Sequence, residues 1–186
     1  ADSTESRLQN ATNFLSLTEI ITDSSAYQGF AYVALRFNAQ EFQSYPKRMY
    51  RIKGTKIKVP HDTTIDINNG RVIYPADYPF NGTFKTDKEW CSDPAWILFD
   101  LLTNVRYGLG DHITEAQLDK YAFYSASVYC SELVDDGAGG QEPRFSCNTI
   151  LQARQDAYEV VNSLTSVMRS ISYWNAGSLT ISQDRP

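Results

Sequence analysis

The most apolar stretch of the sequence is PAWILFDLLTNV, near the middle of the chain. Asp93 before it is a suitable helix N-cap, and Pro94 occupies the first helical position, where a missing N–H costs nothing. Apolar residues then lie on nearly every face, which is typical of a buried helix. A run of about ten apolar residues is too short to cross a membrane, which takes roughly twenty. The sequence therefore predicts a buried central helix over residues 94–104, ended by the glycines of YGLG.

The part of the chain before this helix carries the alternation of apolar and polar residues that is typical of β-strands. It predicts strands between residues 17 and 37, then a basic strand over residues 48–59 with a bulge at Gly54. Residues 65–74 form a predicted hairpin, because Asn68-Asn69-Gly70 accepts the positive φ of a tight turn. The first 85 residues are therefore expected to be mostly antiparallel β.

The part after the central helix mixes both periodicities. Its patterns predict a helix over residues 115–133 that begins with a capping box, an irregular glycine-rich loop over 135–143, and a strand over 144–151. An amphipathic helix follows over residues 152–170, with a stripe that runs from Ala157 to Met168. Two short β segments around NAGS predict a final hairpin over residues 172–181.

These elements together predict an α+β fold. We expect an N-terminal, mostly β subdomain with a long hairpin over residues 1–85. An α+β subdomain with about three helices and a small sheet, including the C-terminal hairpin, follows over residues 86–186. The three tryptophans, Trp90, Trp96 and Trp174, flank apolar runs and are expected in the core.

Length and charge limit the function classes. A chain of 186 residues can bury a sizeable core without disulfides or metal, and its net charge of -5 argues against a nucleic-acid binder as a whole. The sequence contains no signal peptide. It opens on ADSTESRLQN without Met and stops on SQDRP, so we expect a piece of a longer polypeptide. Buried free thiols are the simpler expectation for Cys91, Cys130 and Cys147, with one disulfide and a spare thiol as the alternative.

No residue pattern predicts a metal, a cofactor or an enzymatic activity. His61 and His112 have no partner at ligand spacing, and no pair of carboxylates stands out as acid and base. Asp135, Asp136 and Glu142 surround glycines, as oxygen ligands of calcium can, but the EF-hand spacing is missing and a solvated turn is the simpler interpretation.

A local concentration of positive charge is the main candidate functional feature. Residues 47–58 contain six basic residues and no acidic one: Lys47, Arg48, Arg51, Lys53, Lys56 and Lys58. Such a face can meet phosphate or an acidic partner surface. The alternative, which is the simpler one, is a solvated strand whose lysines discourage edge pairing.

Several stretches carry a family resemblance. DPAWILFDLLTNVRYGLGD, DGAGGQEPRFSCN and SYWNAGSLTISQDRP, in this order, resemble the central region of the tail-tip attachment protein family (J protein, host specificity protein) of lambda-like siphophages and related prophages. PKRMYRIKGTKIKVP and NGTFK resemble it too. The likeness covers about residues 17–186, and the stretch between Val59 and Asn81 departs from it.

The resemblance implies a structural role in a trimeric hub at the tail tip of the virion, made in the cytoplasm of the bacterial host. The implied partners are other copies of the protein and other tail-tip and tail-tube proteins. A host outer-membrane receptor would be engaged through regions outside this chain. The basic residues would then face another subunit or, transiently, the phage DNA. The family region supplies no catalytic residues.

Two other functions remain open on the sequence. A receptor- or glycan-binding domain of the same virion protein would use the abundant Tyr and Trp residues as an interaction surface. A tail-associated cell-wall hydrolase is the weaker alternative, because it needs a placed acid and base.

Overall fold

The structure of the chain is a computed structural model that describes residues 44, 47–77, 79–151 and 155–185. The chain forms two compact units, residues 1–49 and 50–186, and nearly all described residues belong to the second. The second unit contains residues from both sides of position 85, so the division into subdomains at that position stays a prediction. The strands predicted between residues 17 and 37 lie outside the described residues.

The described part of the chain has an α+β architecture, as predicted. Its helices are α1 (Pro94–Thr103), α2 (Lys120–Ser131) and α3 (Ala157–Val167), and a short 3-10 helix spans Glu115–Gln117. Its strands form antiparallel pairs: β1 (Lys56–Ile57) with β4 (Glu89–Trp90), β2 (Thr64–Ile65) with β3 (Val72–Ile73), β5 (Leu133–Asp135) with β6 (Gln141–Pro143), and β7 (Ser170–Asn175) with β8 (Ser178–Gln183). None of the described helices is long and apolar enough to cross a membrane.

Helix α1 is the centre of the core, which confirms the prediction from its sequence. The Asp93 carboxylate caps it by accepting hydrogen bonds from the backbone N–H groups of Ala95 (2.9 Å) and Trp96 (3.1 Å). At the other end, the chain turns back so that the Leu109 N–H donates to Leu101 O. The following α1 side chains are buried: Ala95, Trp96, Leu98, Phe99 and Leu102.

An aromatic cluster joins α1 to its neighbours. The Phe99 ring lies 5.4 Å from the Phe123 ring of α2 and 5.2 Å from the Phe84 ring, measured between centroids. The Trp96 ring packs at 5.4 Å against Phe84 and at 6.0 Å against Phe80. Because aromatic side chains bury the largest apolar areas, this cluster supplies much of the stabilisation of the second unit.

The predicted helix over residues 115–133 is wrong in its extent, and α2 begins later. The backbone of Leu118 forms a parallel bridge with Leu179 of β8, and the Asp119 N–H donates to Leu179 O at 3.0 Å. Asp119 then caps a new helix through the N–H groups of Tyr121 and Ala122. The tertiary contact with β8 therefore breaks the continuous local pattern into a 3-10 turn and a separate helix.

The strand predicted over residues 144–151 is also wrong. Its backbone bonds go to separate elements instead of one partner strand: the Phe145 N–H donates to Cys130 O at 3.1 Å, and the Cys147 N–H to Ser92 O at 2.8 Å. The loop predicted over residues 135–143 is shorter than expected, because β5 and β6 pair over Leu133–Pro143, Val134–Glu142 and Asp135–Gln141.

The basic strand predicted over residues 48–59 is reduced to the two residues of β1, and no bulge forms at Gly54 because residues 47–55 pair with no strand among the described residues. The two predicted hairpins are present. Gly70 ends the first turn with φ +77°, close to the side chain of Ser92, and Gly177 lies in the second turn with φ +85°.

Helix α3 is shorter than predicted, because it begins after Asp156. The Asp156 side chain caps the helix by accepting a hydrogen bond from the Tyr158 N–H. Residues 152–154 lie outside the described part of the chain. Its inward face carries Leu164, followed by Met168 just after the helix, whereas Ala157 and Val167 at the ends of the predicted stripe are exposed.

The prediction that all three tryptophans lie in the core is wrong for two of them. Trp96 is fully buried, but Trp90 is half-buried on β4 and Trp174 is 56% exposed on β7. Both belong to two-stranded pairs, in which a side chain can face solvent on the side away from the helices.

Candidate functional site

The residues that the sequence singled out as a basic face form an exposed, irregular segment. We call residues 47–58 the basic segment. Five of its basic side chains are exposed, and the sixth, Lys58, is half-buried: the exposed ones are Lys47, Arg48, Arg51, Lys53 and Lys56. A segment with so little regular structure presents its charges individually and not as the face of a strand.

Contacts with the second unit hold the segment from Arg51 onward. The Arg51 guanidinium donates to the backbone oxygen of Asn68. The Lys53 ammonium lies 5.2 Å from the centre of the Trp90 ring, a cation–π distance. These contacts bind the two side chains to neutral groups, and neither charge forms an ion pair with a described residue.

An ion pair at the end of the basic segment holds Lys58 against Glu115 of the 3-10 helix. Lys58 Nζ lies 2.7 Å from Glu115 Oε2, and Lys120 Nζ lies 2.7 Å from the other carboxylate oxygen. Burial alone raises the pKa of Glu115, but the hydrogen bonds from Lys120 and Lys58 outweigh burial, so its pKa lies below the usual value. Glu115 therefore joins the end of the basic segment to the start of α2.

A second charged element has the opposite sign. We call residues 132–143 the acidic hairpin; it consists of Glu132, which follows α2, and of β5, β6 and their loop. It carries four acidic residues and no basic one: Glu132, Asp135, Asp136 and Glu142. All four side chains are exposed. Glu132 pairs with Arg144 at 2.8 Å, just beyond the hairpin.

The acidic residues of the loop shape its backbone. Asp136 Oδ1 accepts hydrogen bonds from the N–H groups of Ala138 and Gly140, both at 2.8 Å, and these two bonds lower the pKa of Asp136. Asp135 accepts from the Gly137 N–H at 2.8 Å. Within the described ranges, no three or more His, Cys, Asp or Glu side chains converge on a metal position.

A buried polar network lies behind the start of α1. The Ser127 hydroxyl donates to Asp93 Oδ2 at 2.8 Å and lies 2.6 Å from the Tyr74 hydroxyl, which accepts from Trp96 Nε1 at 2.9 Å. Burial raises the pKa of Asp93 to about 6, although the hydrogen bonds from Ser127, Trp96 and Ala95 oppose the rise. The network joins three parts of the chain. Asp93, Trp96 and Ser127 are buried, and Tyr74 is half-buried.

A groove of about 1430 Å³ runs between α1 and α3 and is walled on one side by Ile52 and Thr55. Its lining is mainly apolar. The Asp100 carboxylate in it is bound by the Tyr107 hydroxyl and by Lys88 Nζ at 3.6 Å. Burial, followed by the hydrogen bond to Asp100, raises the pKa of the Tyr107 hydroxyl. The carboxylate is thus engaged structurally and is not placed as a base.

The remaining candidate residues are separate from one another. His61 lies 2.9 Å from the carboxylate of its neighbour Asp62 at the surface, and His112 is exposed on the loop before α2. Cys91, Cys130 and Cys147 are free and buried, which confirms the simpler prediction for the thiols. Burial raises the pKa of each of them.

Comparisons with known proteins relate this chain to proteins of bacteriophages. No family model matches the chain. Over all 186 residues, however, it is 34% identical to curated proteins of two bacteriophages, Escherichia phage SECphi27 and Escherichia phage SECphi4. These relatives are attachment proteins at the tip of the phage tail.

Both relatives are named tip attachment protein J, and this chain is homologous over its full length to a segment of that protein. The resemblance drawn from its motifs is therefore confirmed. The chain spans only 15% of the SECphi27 protein and 16% of the SECphi4 protein. The relatives' names describe attachment and name no enzymatic activity.

The sequence shows the charge of the basic segment, and it also shows that residues 132–143 contain no Lys or Arg. The metal interpretation of Asp135, Asp136 and Glu142 covers only part of this acidic element. Tyr74 and Ser127 carry no sequence signal, because their link to Asp93 depends on contacts between distant parts of the chain.

Proposed function

We propose that this chain is a structural module of a phage tail-tip hub, in which it supports tail assembly, host attachment and DNA delivery. The observation that carries the proposal is the alignment of all 186 residues with tip attachment protein J of two phages at 34% identity. The module acts as a shape-holding part of a homo-oligomer, which we take to be a trimer in the full-length protein.

The construction of the second unit supports a shape-holding role. Its central helix α1 is enclosed by aromatic side chains, and its cap residue Asp93 is 3% exposed. Interiors packed in this way deform little, because each displaced side chain loses many close contacts. A module of this kind transmits force between its neighbours in an assembly without changing shape.

The partners follow from the same proposal. Other copies of the protein, other tail-tip proteins and tail-tube proteins surround the module in the tail. We assign contact with a host outer-membrane receptor to parts of the protein outside this chain, which spans only 15% of the SECphi27 relative.

A test changes the core in the full-length protein and counts infectious phage. Leu98 is fully buried in α1, so Leu98→Asp introduces a charge into the core and is expected to abolish infectious particles. Ile67→Asp is the matched control, because Ile67 is 71% exposed in a turn, and it should leave the titre unchanged. Normal infection by the Leu98→Asp phage would refute the proposal.

A further inference from the structure

Charges of opposite sign are segregated into two surface elements of this chain. The basic segment has six basic residues and no acidic one, and the acidic hairpin has four acidic residues and no basic one. The first includes β1, and the second follows α2. Positive and negative side chains are normally interspersed on protein surfaces, so this separation is unusual.

Most of these charges have no counter-ion within the described part of the chain. The ion pairs found there lie at one end of each element: Lys58 pairs with Glu115, and Glu132 pairs with Arg144. Lys56 and Glu142 form none, and Asp135 bonds to a backbone N–H. The charges of Arg51, Lys53, Lys56, Asp135 and Glu142, which form no ion pair with described residues, are thus available to a partner.

We propose that residues 50–58 of the basic segment in one copy of this chain dock on the acidic hairpin of a second copy. The proposal rests on the proposed function, in which copies of the chain lie side by side in a tail tip. Two different surfaces meet in such a contact, so it is heterologous and propagates from copy to copy until a ring closes.

Apolar side chains beside the charges fit a protein partner. In the basic segment, Tyr50 is 57% exposed and Ile52 is 73% exposed; in the acidic hairpin, Leu133 is 41% exposed. Burying these side chains stabilises a contact, whereas the charges set its orientation and rate of formation more than its strength. Duplex DNA offers phosphates but no comparable apolar surface to the basic segment.

Charge reversal tests the contact, with sedimentation equilibrium of the 186-residue chain at low and high salt. Lys53→Glu with Lys56→Glu reverses the basic side, and Asp135→Lys with Glu142→Lys reverses the acidic side. Asp136, which accepts two backbone hydrogen bonds in the loop, is left intact, and Asp135→Lys removes one, from the Gly137 N–H. We expect self-association of the unchanged chain that weakens with salt, and a weakening of about tenfold or more by either reversal.

The chain with all four substitutions is the decisive variant. Its two surfaces are again complementary, so its association constant should return to within about threefold of that of the unchanged chain. Arg106→Glu and Asp111→Lys are the matched controls. Both residues are exposed and lie outside the two elements, so their reversal should leave the association constant unchanged.

Three outcomes would overturn the proposal: a chain that is monomeric at every concentration, reversals without effect, or a four-substitution variant that does not recover. A fourth is salt-dependent binding of duplex DNA that Lys53→Glu with Lys56→Glu abolishes while self-association persists, which would assign the basic segment to DNA. None of these bears on the presence of the protein in the tail, which the phage experiments test separately.

Discussion

Asp93 and Ser127 are 34 residues apart in sequence, and a 2.8 Å hydrogen bond joins them in the core. Ser127 belongs to the middle of α2, and Asp93 caps α1, so the bond fixes the start of one helix against the other. The titratable groups that face Asp93 are Tyr74, Cys91 and Cys130, and burial raises the pKa of each, which keeps all three neutral at pH 7. Among the described residues, hydrogen bonds from Ser127, Trp96 and Ala95 stabilise the carboxylate, and no cation pairs with it.

The first prediction concerns the pH dependence of stability. The pKa of Asp93 rises from 3.8 to about 6 on folding, so the folded state binds the proton more tightly than the unfolded state. The contribution of the Asp93 carboxyl group to the free energy of unfolding therefore increases as the pH falls from about 6 to 3.8, and it decreases as the pH rises again. The full change is about 3 kcal/mol, and urea unfolding at several pH values measures it.

Asp93→Asn isolates this contribution from that of other carboxylates. Asn is as good an N-cap as Asp and carries no charge to bury, so the variant is expected to be more stable relative to the unchanged chain at pH 7.5 than at pH 4.5. A difference in unfolding free energy between the two proteins that stays constant over this pH range would contradict the prediction.

The second prediction concerns the hydroxyl of Tyr74. Tyr74→Phe removes the acceptor of the buried Trp96 Nε1–H and a partner of Ser127, so we expect a loss of about 1–3 kcal/mol in the free energy of unfolding. Tyr158→Phe is the matched control, since Tyr158 is 74% exposed on α3, and it should change stability by less than about 0.5 kcal/mol. Equal stability of the two variants would rule out the network as a stabilising element.

A third prediction concerns the turn after α1. A Cβ atom on Gly108 would lie 1.8 Å from the backbone oxygen of Leu101, whereas one on Gly54 would meet nothing within 4 Å. Gly108→Ala must therefore displace backbone and is expected to destabilise the chain by about 2 kcal/mol or more. Gly54→Ala should be neutral or slightly stabilising, because it restricts only the unfolded chain. Thermal unfolding of both variants distinguishes the two outcomes.

A fourth prediction concerns the thiols. Cys130 is fully buried, and Cys91 and Cys147 are 4% and 7% exposed. Because the thiolate is the reactive form and burial raises the pKa of all three, alkylation of the native chain at pH 8 should be slow. Mass spectrometry should show three modified thiols after unfolding in urea and few without urea. Rapid labelling of Cys130 in the native chain would show that the core is open.

The sequence was sufficient for elements whose determinants are local. Helix α1 was predicted to within one residue of its end because Asp93, Pro94 and a continuous apolar run all act within a few positions. The C-terminal hairpin was predicted for the same reason, as its turn residues stand between two short β segments.

Elements decided by distant contacts were predicted wrongly. The start of α2 depends on the bridge between Leu118 and Leu179, and residues 144–151 bond to Cys130 and Ser92 instead of forming a ladder. At the candidate site, the charge of the basic segment could be read from the sequence, but its irregular backbone and its anchoring by Asn68 and Trp90 could not.

We propose that this chain is part of a phage tail tip, and the position of the protein in the virion tests this proposal most directly. An epitope inserted at Gly177, in the exposed turn between β7 and β8, would mark the full-length protein without entering either charged element. Immunogold electron microscopy of purified particles should place the label at the distal end of the tail. Label on the head or along the tail tube, or particles without label although the tagged protein is made, would contradict the account.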